Sequence, residues 1–413
     1  MSEGSRNERI ETVVIGAGQA GLSASSLLAG RGLEHVVLER GKVGESWRSQ
    51  RWDGFYLNTP NWTFQLPGFA YDGPDPDAFA SRLEVIDHLE RYARSFGAPL
   101  REETPVERVR RNGRGFAVET PRGTIEARNV VVAAGAYQKP TPTAMSRGVP
   151  ADILQIHTSG YRRPSQLPEG SVLIVGSGQS GCQVAEELLA AGRRVVLSVS
   201  RCTWIPRRYR GRDMMRWMAD AGMWEQTPDA LPSLDARLAC NPPVSGNDGG
   251  HDCNPRTLAR QGAVLIGRLE GIEGTTLQLG RGLAESLAAG DEFVATFKRT
   301  ADALARAARL DLPDPEPEET VAPVRDIPTF DLRDQRVTSI VWANGFRPDH
   351  SWIEGVATDA LGWPVQTRGA APVPGLYFVG LHWLTKRKSA LFLGVGEDAA
   401  HVAQHLEGAS RRA

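Results

Sequence analysis

Two stretches of the chain, at residues 13–40 and 172–201, share one pattern of apolar and polar positions. Each has a β-branched run, a glycine-rich turn, a run with apolar residues at helical spacing and a second apolar run. A β-branched run of this kind predicts a strand buried on both faces of a parallel sheet. The pattern therefore predicts an α/β protein with two Rossmann-like dinucleotide-binding domains, built from one duplicated strand–turn–helix unit.

The remaining chain adds elements around these two units. Apolar spacing predicts a helix over 83–96, a hairpin over 116–127, a strand over 129–135 and one or two helices over 283–310. Polar stretches rich in proline predict linkers at 162–170 and 312–323. Strand-like runs at 337–345 and 375–381 are expected to return the chain to the first domain.

Composition narrows the class of protein. The 413 residues are 41% apolar and 23% charged, as in soluble globular proteins. A net charge of −1 gives no general attraction to nucleic acid or to an anionic membrane. There is no apolar run of about 18 residues for a membrane span, and the polar N-terminus has no secretory pattern. We therefore expect a cytoplasmic protein.

The first glycine turn has the pattern of a site for a dinucleotide pyrophosphate. Gly16 makes the tight turn, Gly18 lets the pyrophosphate approach the backbone, and Gly21 lets the helix pack closely on its strand. The acid expected about 20 residues further on, as a partner of the ribose 2′-OH, is Glu39. A free 2′-OH is typical of FAD, and the predicted contacts also include Gln19, Ala20 and Arg40.

The second glycine turn repeats this arrangement without the acid. Its glycines are Gly176, Gly178 and Gly181, with Gln179 and Ser180 between them. Where the acid would stand, the chain has Ser200 and Arg201, with Arg207 close behind. A guanidinium pairs with a 2′-phosphate, whereas a carboxylate repels it, so this turn suits NADPH. A solvated surface arginine is the alternative interpretation of Arg201.

Together the two turns predict two cofactors and hydride transfer from nicotinamide to flavin. We expect a discontinuous FAD-binding domain at 1–160 and 325–413. An NADPH-binding domain at 161–324 would be inserted into it, with an irregular segment near 207–255.

Several further motifs, in this order, resemble those of the class B flavin-containing monooxygenases, which include plant YUCCA-like and bacterial CzcO-like flavoproteins. The motifs are GESWR at 44–48, LNTP at 57–60, HTSGYRRP at 157–164 and VWANGFRPD at 341–349. The resemblance implies that NADPH reduces FAD and that reduced FAD reacts with O₂. The resulting C4a-(hydro)peroxyflavin would oxygenate a small organic substrate.

The resemblance also implies roles for individual residues. Asn58 matches the family's catalytic asparagine, which helps to hold the oxygenated flavin, and His157 matches a positioning histidine. The aromatic and glycine that precede this histidine in the family are replaced here by Ala151 and Ile153. Other positions matching segments near the cofactors are Trp47, Arg48, Thr59, Ala134, Gly135, Ala343, Asn344, Gly345, Gly380 and Leu381.

Other functions stay open on the sequence alone. A reductase passing electrons to a quinone, metal or protein would need the same cofactors, and a non-enzymatic redox-sensing flavoprotein is a further alternative. None of the four cysteines forms a C-x-x-C pair, which argues against a dithiol reductase. His251 and Cys253 fall short of a zinc pattern. The methionines and tryptophans at 214–224 predict core packing or a substrate-tunnel wall. The substrate and the oligomeric state, a homodimer included, are left open.

Overall fold

The computed structural model describes residues 8–141, 143–238, 241–317 and 324–411. Its α-helices, numbered along the chain, are α1 Gln19–Ala29, α2 Glu45–Ser49, α3 Arg82–Ser95, α4 Gln179–Ala190, α5 Met214–Asp220, α6 Pro255–Arg260, α7 Leu283–Ala307 and α8 Val395–Ser410. Short 3-10 helices lie at Asn61–Thr63, Ala144–Gly148, Pro164–Gln166, Met223–Glu225, Pro228–Ala230, Leu234–Leu238 and Asn247–Gly249.

The first sheet is mixed. In spatial order its strands are Leu100–Arg101, His35–Leu38, Glu8–Ile15, Gly123–Val132, Gly115–Thr120 and Arg108–Asn112, and Leu376–Phe378 also pairs with Gly123–Val132. The strands around the first glycine turn are parallel, with Val13 opposite both Val36 and Val130. The predicted hairpin is present, and its second strand continues into the strand predicted at 129–135.

The second sheet is wholly parallel. Its strands, in spatial order, are Leu154–His157, Val337–Trp342, Ser171–Val175, Val195–Ser198 and Val264–Ile266. The expectation that the run at 337–345 returns to the first domain is therefore wrong, whereas the run at 375–381 does join the first sheet. An apolar run buried on both faces has the same composition in either sheet, so its pattern could not assign the sheet.

Both sheets are covered on two faces, as continuous apolar strands predict. Alternate residues of the strand Ser171–Val175 show this: Val172 and Ile174 belong to one buried cluster with residues of α4, and Leu173 belongs to another. The first sheet has the same arrangement, with Val14 on the face of α1 and α8 and Val13 on the opposite face. The predicted α/β class with two Rossmann-like units is confirmed.

Smaller elements surround the two sheets. The remaining strand pairs are Gln65–Leu66 with Phe69–Ala70, Lys139–Pro140 with Phe346–Arg347, Arg208–Tyr209 with Arg212–Asp213, and Val244–Ser245 with His251–Asp252. An antiparallel sheet of Leu269–Glu273, Thr276–Leu279 and Thr329–Asp331 packs on the second sheet. The described residues between 207 and 255 form only short elements. Cys240 and part of the predicted linker, 318–323, lie outside the described residues.

Candidate functional site

The first glycine turn joins the strand Glu8–Ile15 to α1. Gly16 has φ +107°, and a Cβ there would lie 2.6 Å from the carbonyl oxygen of Ala133, so a larger residue is excluded. A Cβ at Gly21 would overlap the carbonyl of Gly16. A Cβ at Gly18 would meet no atom within 4 Å, and no side chain of the described residues caps α1. The turn and its first amides therefore fit a pyrophosphate.

Glu39 closes this turn from behind. Its buried carboxylate accepts hydrogen bonds from the backbone N–H of Ala17 at 2.7 Å and of Gly41 at 3.0 Å. Because a carboxylate has about four lone-pair sites, it keeps the capacity to accept from a ribose hydroxyl as well. Arg40, next in the chain, is exposed.

The second glycine turn has the same construction. Gly176 has φ +114°, a Cβ there would lie 2.6 Å from the Ala343 carbonyl oxygen, and a Cβ at Gly181 would overlap the carbonyl of Gly176. Gly178 is the N-cap residue of α4, and within the described ranges α4 also lacks a side-chain cap. This turn therefore fits a second pyrophosphate.

At the start of α4, the predicted cofactor contact of Gln179 differs from the expectation. The amide of Gln179 is committed to the protein, since its Nε2 donates to the Val244 carbonyl at 2.6 Å and its Oε1 accepts from the Val244 N–H at 3.2 Å. Ser180 is half-buried. Gln179 can therefore contribute its backbone to a cofactor while its side chain holds the strand Val244–Ser245.

The two predicted arginines of the second unit occupy different environments. Arg201, after the half-buried Ser200, is exposed and makes no ion pair within the part of the chain that the structure describes. Arg207 is 1% exposed and pairs with Asp213 at 2.8 Å. Burial lowers the pKa of Arg207 to about 10. The prediction that Arg207 contacts the 2′-phosphate needs correction, because its guanidinium lies inside the protein.

Arg207 instead holds the LNTP loop. Its Nη1 donates to the backbone oxygen of Asn58 at 2.6 Å, and its guanidinium lies over the Phe79 ring at 4.2 Å. Gln183 of α4 also donates to the Tyr56 carbonyl, at 3.4 Å. The Asn58 side chain is half-buried and makes no hydrogen bond to any described residue; Thr59 is likewise half-buried. The amide of Asn58 is therefore available between the two units.

The short helix α2 starts from the first glycine turn, because the Gly44 N–H donates to the Ala17 carbonyl at 3.0 Å. Trp47 is half-buried, with Phe55 at 6.0 Å and Phe392 at 6.1 Å between ring centroids. Arg48 points away from this cluster: its Nε donates to the Val43 carbonyl at 3.1 Å and its Nη2 pairs with Glu90. Trp47 thus keeps a position beside the turn, and Arg48 anchors α2 to α3.

The two predicted crossover segments lie side by side. Asn344 Nδ2 donates to the Thr141 carbonyl at 2.9 Å, and the Thr141 N–H donates to the Gly345 carbonyl at 3.0 Å. Gly135 and Gly345 both have positive φ, 82° and 81°. Ala134 is exposed beside Gly135.

His157 connects the linker to these crossovers. Its Nδ1 accepts from the Ser159 N–H at 3.1 Å, so its Nε2–H donates to the Gly345 carbonyl at 3.2 Å. Burial lowers its pKa, which keeps the ring neutral. This contact fits the positioning role that the resemblance implies, which stays a prediction.

The C-terminal strand brings a third segment to the first turn. Gly380 has φ +81°, and a Cβ there would lie 2.5 Å from the Ala20 Cβ. The Gln19 Nε2 donates to the Ala390 carbonyl at 3.3 Å, ahead of α8. Leu381 is buried in the core, so only its backbone can face a ligand.

Three residues that the sequence did not single out share this region. Arg51 lies over the rings of Trp47 at 5.3 Å and Tyr137 at 5.7 Å, and His382 meets Tyr137 at 5.0 Å. Burial lowers the pKa of His382 to about 4, so this imidazole is neutral. Arg51 follows a predicted flavin segment and Tyr137 follows a crossover glycine. The two residues are far apart in the sequence, so no sequence pattern indicated that they lie close together.

Other candidate features have structural roles. Lys386 and Lys388 both pair with Glu225 and Glu397, and these ion pairs hold the segment before α8. The methionine and tryptophan side chains around α5 are mostly buried, which confirms core packing. The described residues contain no group of side chains suited to a metal ion. Among the same residues, no helix has the length and apolar character to cross a membrane.

Comparisons with known proteins agree with this geometry. A family profile described as pyridine nucleotide-disulphide oxidoreductase matches residues 13–217. A CzcO-like uncharacterized oxidoreductase of Geobacillus kaustophilus is 31% identical over 403 residues, covering 96% of this chain and 98% of the relative.

Two further proteins support the same grouping. The indole-3-pyruvate monooxygenase YUCCA1 of Oryza sativa is 30% identical over 196 residues, 45% of this chain and 48% of that protein. A flavin monooxygenase mutant from Stenotrophomonas maltophilia has the same fold, with a TM-score of 0.64 at 21% identity over 98% of this chain and 99% of that chain.

Proposed function

We propose a function from the premise that this chain belongs to the class B flavin monooxygenase-like family, as its CzcO-like relative shows over nearly the full length. Within that family it is a flavoprotein oxidoreductase. The proposal is that it is an NADPH- and O₂-dependent FAD monooxygenase that oxygenates a small organic substrate.

We assign FAD to the first glycine turn and NADPH to the second. The buried Glu39 beside the first turn suits a ribose with a free 2′-OH. The exposed Arg201 beside the second, with no acid at that strand end, suits a 2′-phosphate. The FAD-binding domain would then comprise the first sheet, and the NADPH-binding domain the second sheet, to which Leu154–His157 and Val337–Trp342 also belong.

The cofactors supply the redox chemistry: NADPH donates a hydride, and FAD accepts it and passes electrons to O₂. The residues of the chain would bind and orient these cofactors and exclude water from them. Asn58 would orient the reacting group through its amide, which hydrogen-bonds without acting as an acid that would release peroxide. His157 would fix the linker against the crossover at Gly345.

The position of the Asn58 loop is the observation that carries the proposal. The loop belongs to the first unit, yet Gln183 and Arg207 of the second unit donate to its Tyr56 and Asn58 carbonyls. A group at Asn58 is therefore within the junction where nicotinamide and flavin must meet. A reductase that releases electrons elsewhere has no need of a free amide there.

The test is rapid mixing of the NADPH-reduced, FAD-loaded protein with O₂ in the absence of substrate. We expect a delay before the oxidised flavin spectrum returns, and a much shorter delay with faster hydrogen peroxide release in Asn58→Ala. Asn112→Ala, an exposed asparagine on the strand Arg108–Asn112, is the matched control and should behave as wild type.

Immediate reoxidation of the wild type, with one peroxide for each NADPH, would favour a reductase. A dithiol acceptor within the described chain has no support, because Cys182, Cys202 and Cys253 are buried and burial raises the pKa of Cys253. An unchanged delay in Asn58→Ala would remove the role given to that residue.

A further inference from the structure

Arg51 is a cation set among aromatic rings at the carboxyl edge of the first sheet. Its guanidinium carbon lies 5.3 Å from the Trp47 ring centroid and 5.7 Å from those of Phe55 and Tyr137. Trp47 follows the turn at Gly44, which is bonded to the first glycine turn. Tyr137 follows the first crossover. Ligands of open α/β sheets bind at this edge, outside the carboxyl ends of the strands.

Within the described ranges no acid pairs with Arg51, and the acids Glu90 and Asp53 pair with other arginines. Arg48 pairs with Glu90, and Asp53 is taken by Arg82 at 2.9 Å and Arg163 at 3.4 Å. Among the residues that the structure describes, Arg51 donates only to the carbonyl of the adjacent Gln50, at 3.0 Å. Arg51 is half-buried, and this burial lowers its pKa because no described acid beside it offsets the loss of water.

The backbone that carries Arg51 is held in place from the other unit's linker. Arg162 donates through Nη1 to the Arg51 carbonyl at 3.0 Å and through Nη2 to the Ser49 carbonyl. In return, the Asp53 N–H donates to the Arg162 carbonyl at 2.8 Å. A cation on a clamped loop keeps its direction before a ligand arrives, which reduces the entropy lost on binding.

We propose that Arg51 anchors the carboxylate of an anionic organic substrate whose flat apolar part packs against Tyr137. A guanidinium makes two parallel hydrogen bonds to a carboxylate, and cation–π contact with the rings orients it for this. This assignment rests on the proposed function and names the substrate class of that site. The same anionic oxygens could come from a cofactor phosphate, which the experiment separates.

The experiment is calorimetric titration of the FAD-loaded protein, without NADPH, using two pairs of probes. The pairs are phenylacetate with phenylacetamide, and benzoate with benzamide, so each acid has a neutral ligand of nearly the same shape. We expect each acid to bind more tightly than its amide. Arg51→Met should weaken the acids by about 10- to 100-fold, as expected for loss of a hydrogen bond to a charged group, and leave the amides unchanged.

Arg51→Lys should bind the acids with intermediate affinity, because an ammonium keeps the charge but not the paired hydrogen bonds. It also provides a test should Arg51→Met fail to fold, which flavin content and the unfolding temperature report. Arg114→Met, at an exposed arginine of the turn before the strand Gly115–Thr120, is the matched control and should bind both classes as wild type.

Equal affinity of the wild type for acids and amides, or an acid preference unchanged in Arg51→Met, would overturn the proposal. A fall in FAD content or a rise in the KM for NADPH, with the acid preference intact, would assign Arg51 to a cofactor phosphate and also overturn it. Because the titration needs neither NADPH nor O₂, absence of oxygenation would count against the proposed function alone.

Discussion

The two glycine turns have nearly the same backbone and different surroundings. In both, the first glycine has a φ above +100° and lies against the carbonyl oxygen that follows a neighbouring strand, Ala133 in one and Ala343 in the other. In both, the middle glycine is the N-cap of the helix, with no side-chain cap among the described residues. The shared part is therefore the part that meets a pyrophosphate, which is common to every dinucleotide.

The difference lies at the end of the strand after the helix. The first unit has a buried carboxylate there, bonded to two backbone N–H groups. The second unit has a half-buried serine and an exposed arginine. Under the proposed assignment, one duplicated turn would bind either dinucleotide, and the residues after the second strand would choose between them.

The largest expected effect comes from comparing Gly21, which allows close packing, with Gly18, which leaves space for the pyrophosphate. Gly21→Ala should lower the free energy of unfolding by about 3–5 kcal/mol, because its Cβ would overlap the Gly16 backbone. Gly18→Ala should cost less than about 1 kcal/mol while weakening FAD binding, since its Cβ meets open space. Urea denaturation with FAD titration measures both. Equal stability of the two variants would contradict the close packing at Gly21.

The next effect is the pH dependence of stability, which should have opposite signs for a buried histidine of the first unit and an ion-paired histidine of the second unit. His88 lies 4.8 Å from the Phe64 ring, and burial lowers its pKa to about 4. Because the folded state resists protonation, stability should fall by about 3 kcal/mol as the pH drops from about 6.5 to about 4. His88→Phe should flatten this dependence in unfolding measured across that range.

His251 should have the opposite sign. Its partner Glu186, at 2.5 Å, raises the pKa of the imidazole. The stability that this pair contributes is present below about pH 6.5 and is lost as the pH rises through the raised pKa. Because His251 is partly exposed, the change should stay below about 1 kcal/mol. His251→Gln should abolish this pH dependence. If the variant loses stability above pH 6.5 as the wild type does, the prediction is contradicted.

Glu39→Gln tests the acid of the first turn. The amide replaces a charged acceptor of two backbone N–H groups, so FAD should bind about 10- to 100-fold more weakly. Fluorescence titration of the apoprotein with FAD measures this. Glu169→Gln, at an exposed acid in the linker, is the control. If Glu39→Gln binds FAD with wild-type affinity, the carboxylate does not contribute to FAD binding.

Arg201→Gln tests the corresponding position of the second turn and is expected to have a smaller effect on cofactor binding than Glu39→Gln. The KM for NADPH should rise about 10-fold while that for NADH stays near its wild-type value, because only NADPH has the 2′-phosphate. Arg281→Gln, also an exposed arginine of the second unit, should change neither KM. A parallel rise for both coenzymes would show that Arg201 does not read the phosphate.

Local patterns predicted the local parts of this molecule. The strands before both turns, the helices after them and α3 follow from apolar spacing, and in the structure a capping box of Ser81 and Glu84 starts α3. Contacts between distant segments were harder. The strand Val337–Trp342 has the same composition as strands of either sheet, so its sheet could not be read.

The same limit applies to the candidate site. Arg207 followed the second turn in the chain and was expected near the cofactor, but Asp213 and the Asn58 carbonyl hold it inside the protein. Arg51 and His382 had no motif, since only folding brings them to Tyr137. A spacing rule can assign a residue to a turn, whereas the direction of its side chain depends on partners elsewhere in the chain.

The most direct test of the central claim is the anaerobic reduction of bound FAD by NADPH, followed by stopped-flow absorbance in the wild type and in Gly178→Ala. The account predicts that both proteins retain FAD, and that the variant needs a much higher NADPH concentration for the same reduction rate. Loss of FAD in Gly178→Ala, or reduction with unchanged NADPH dependence, would contradict the assignment of two dinucleotides to two turns.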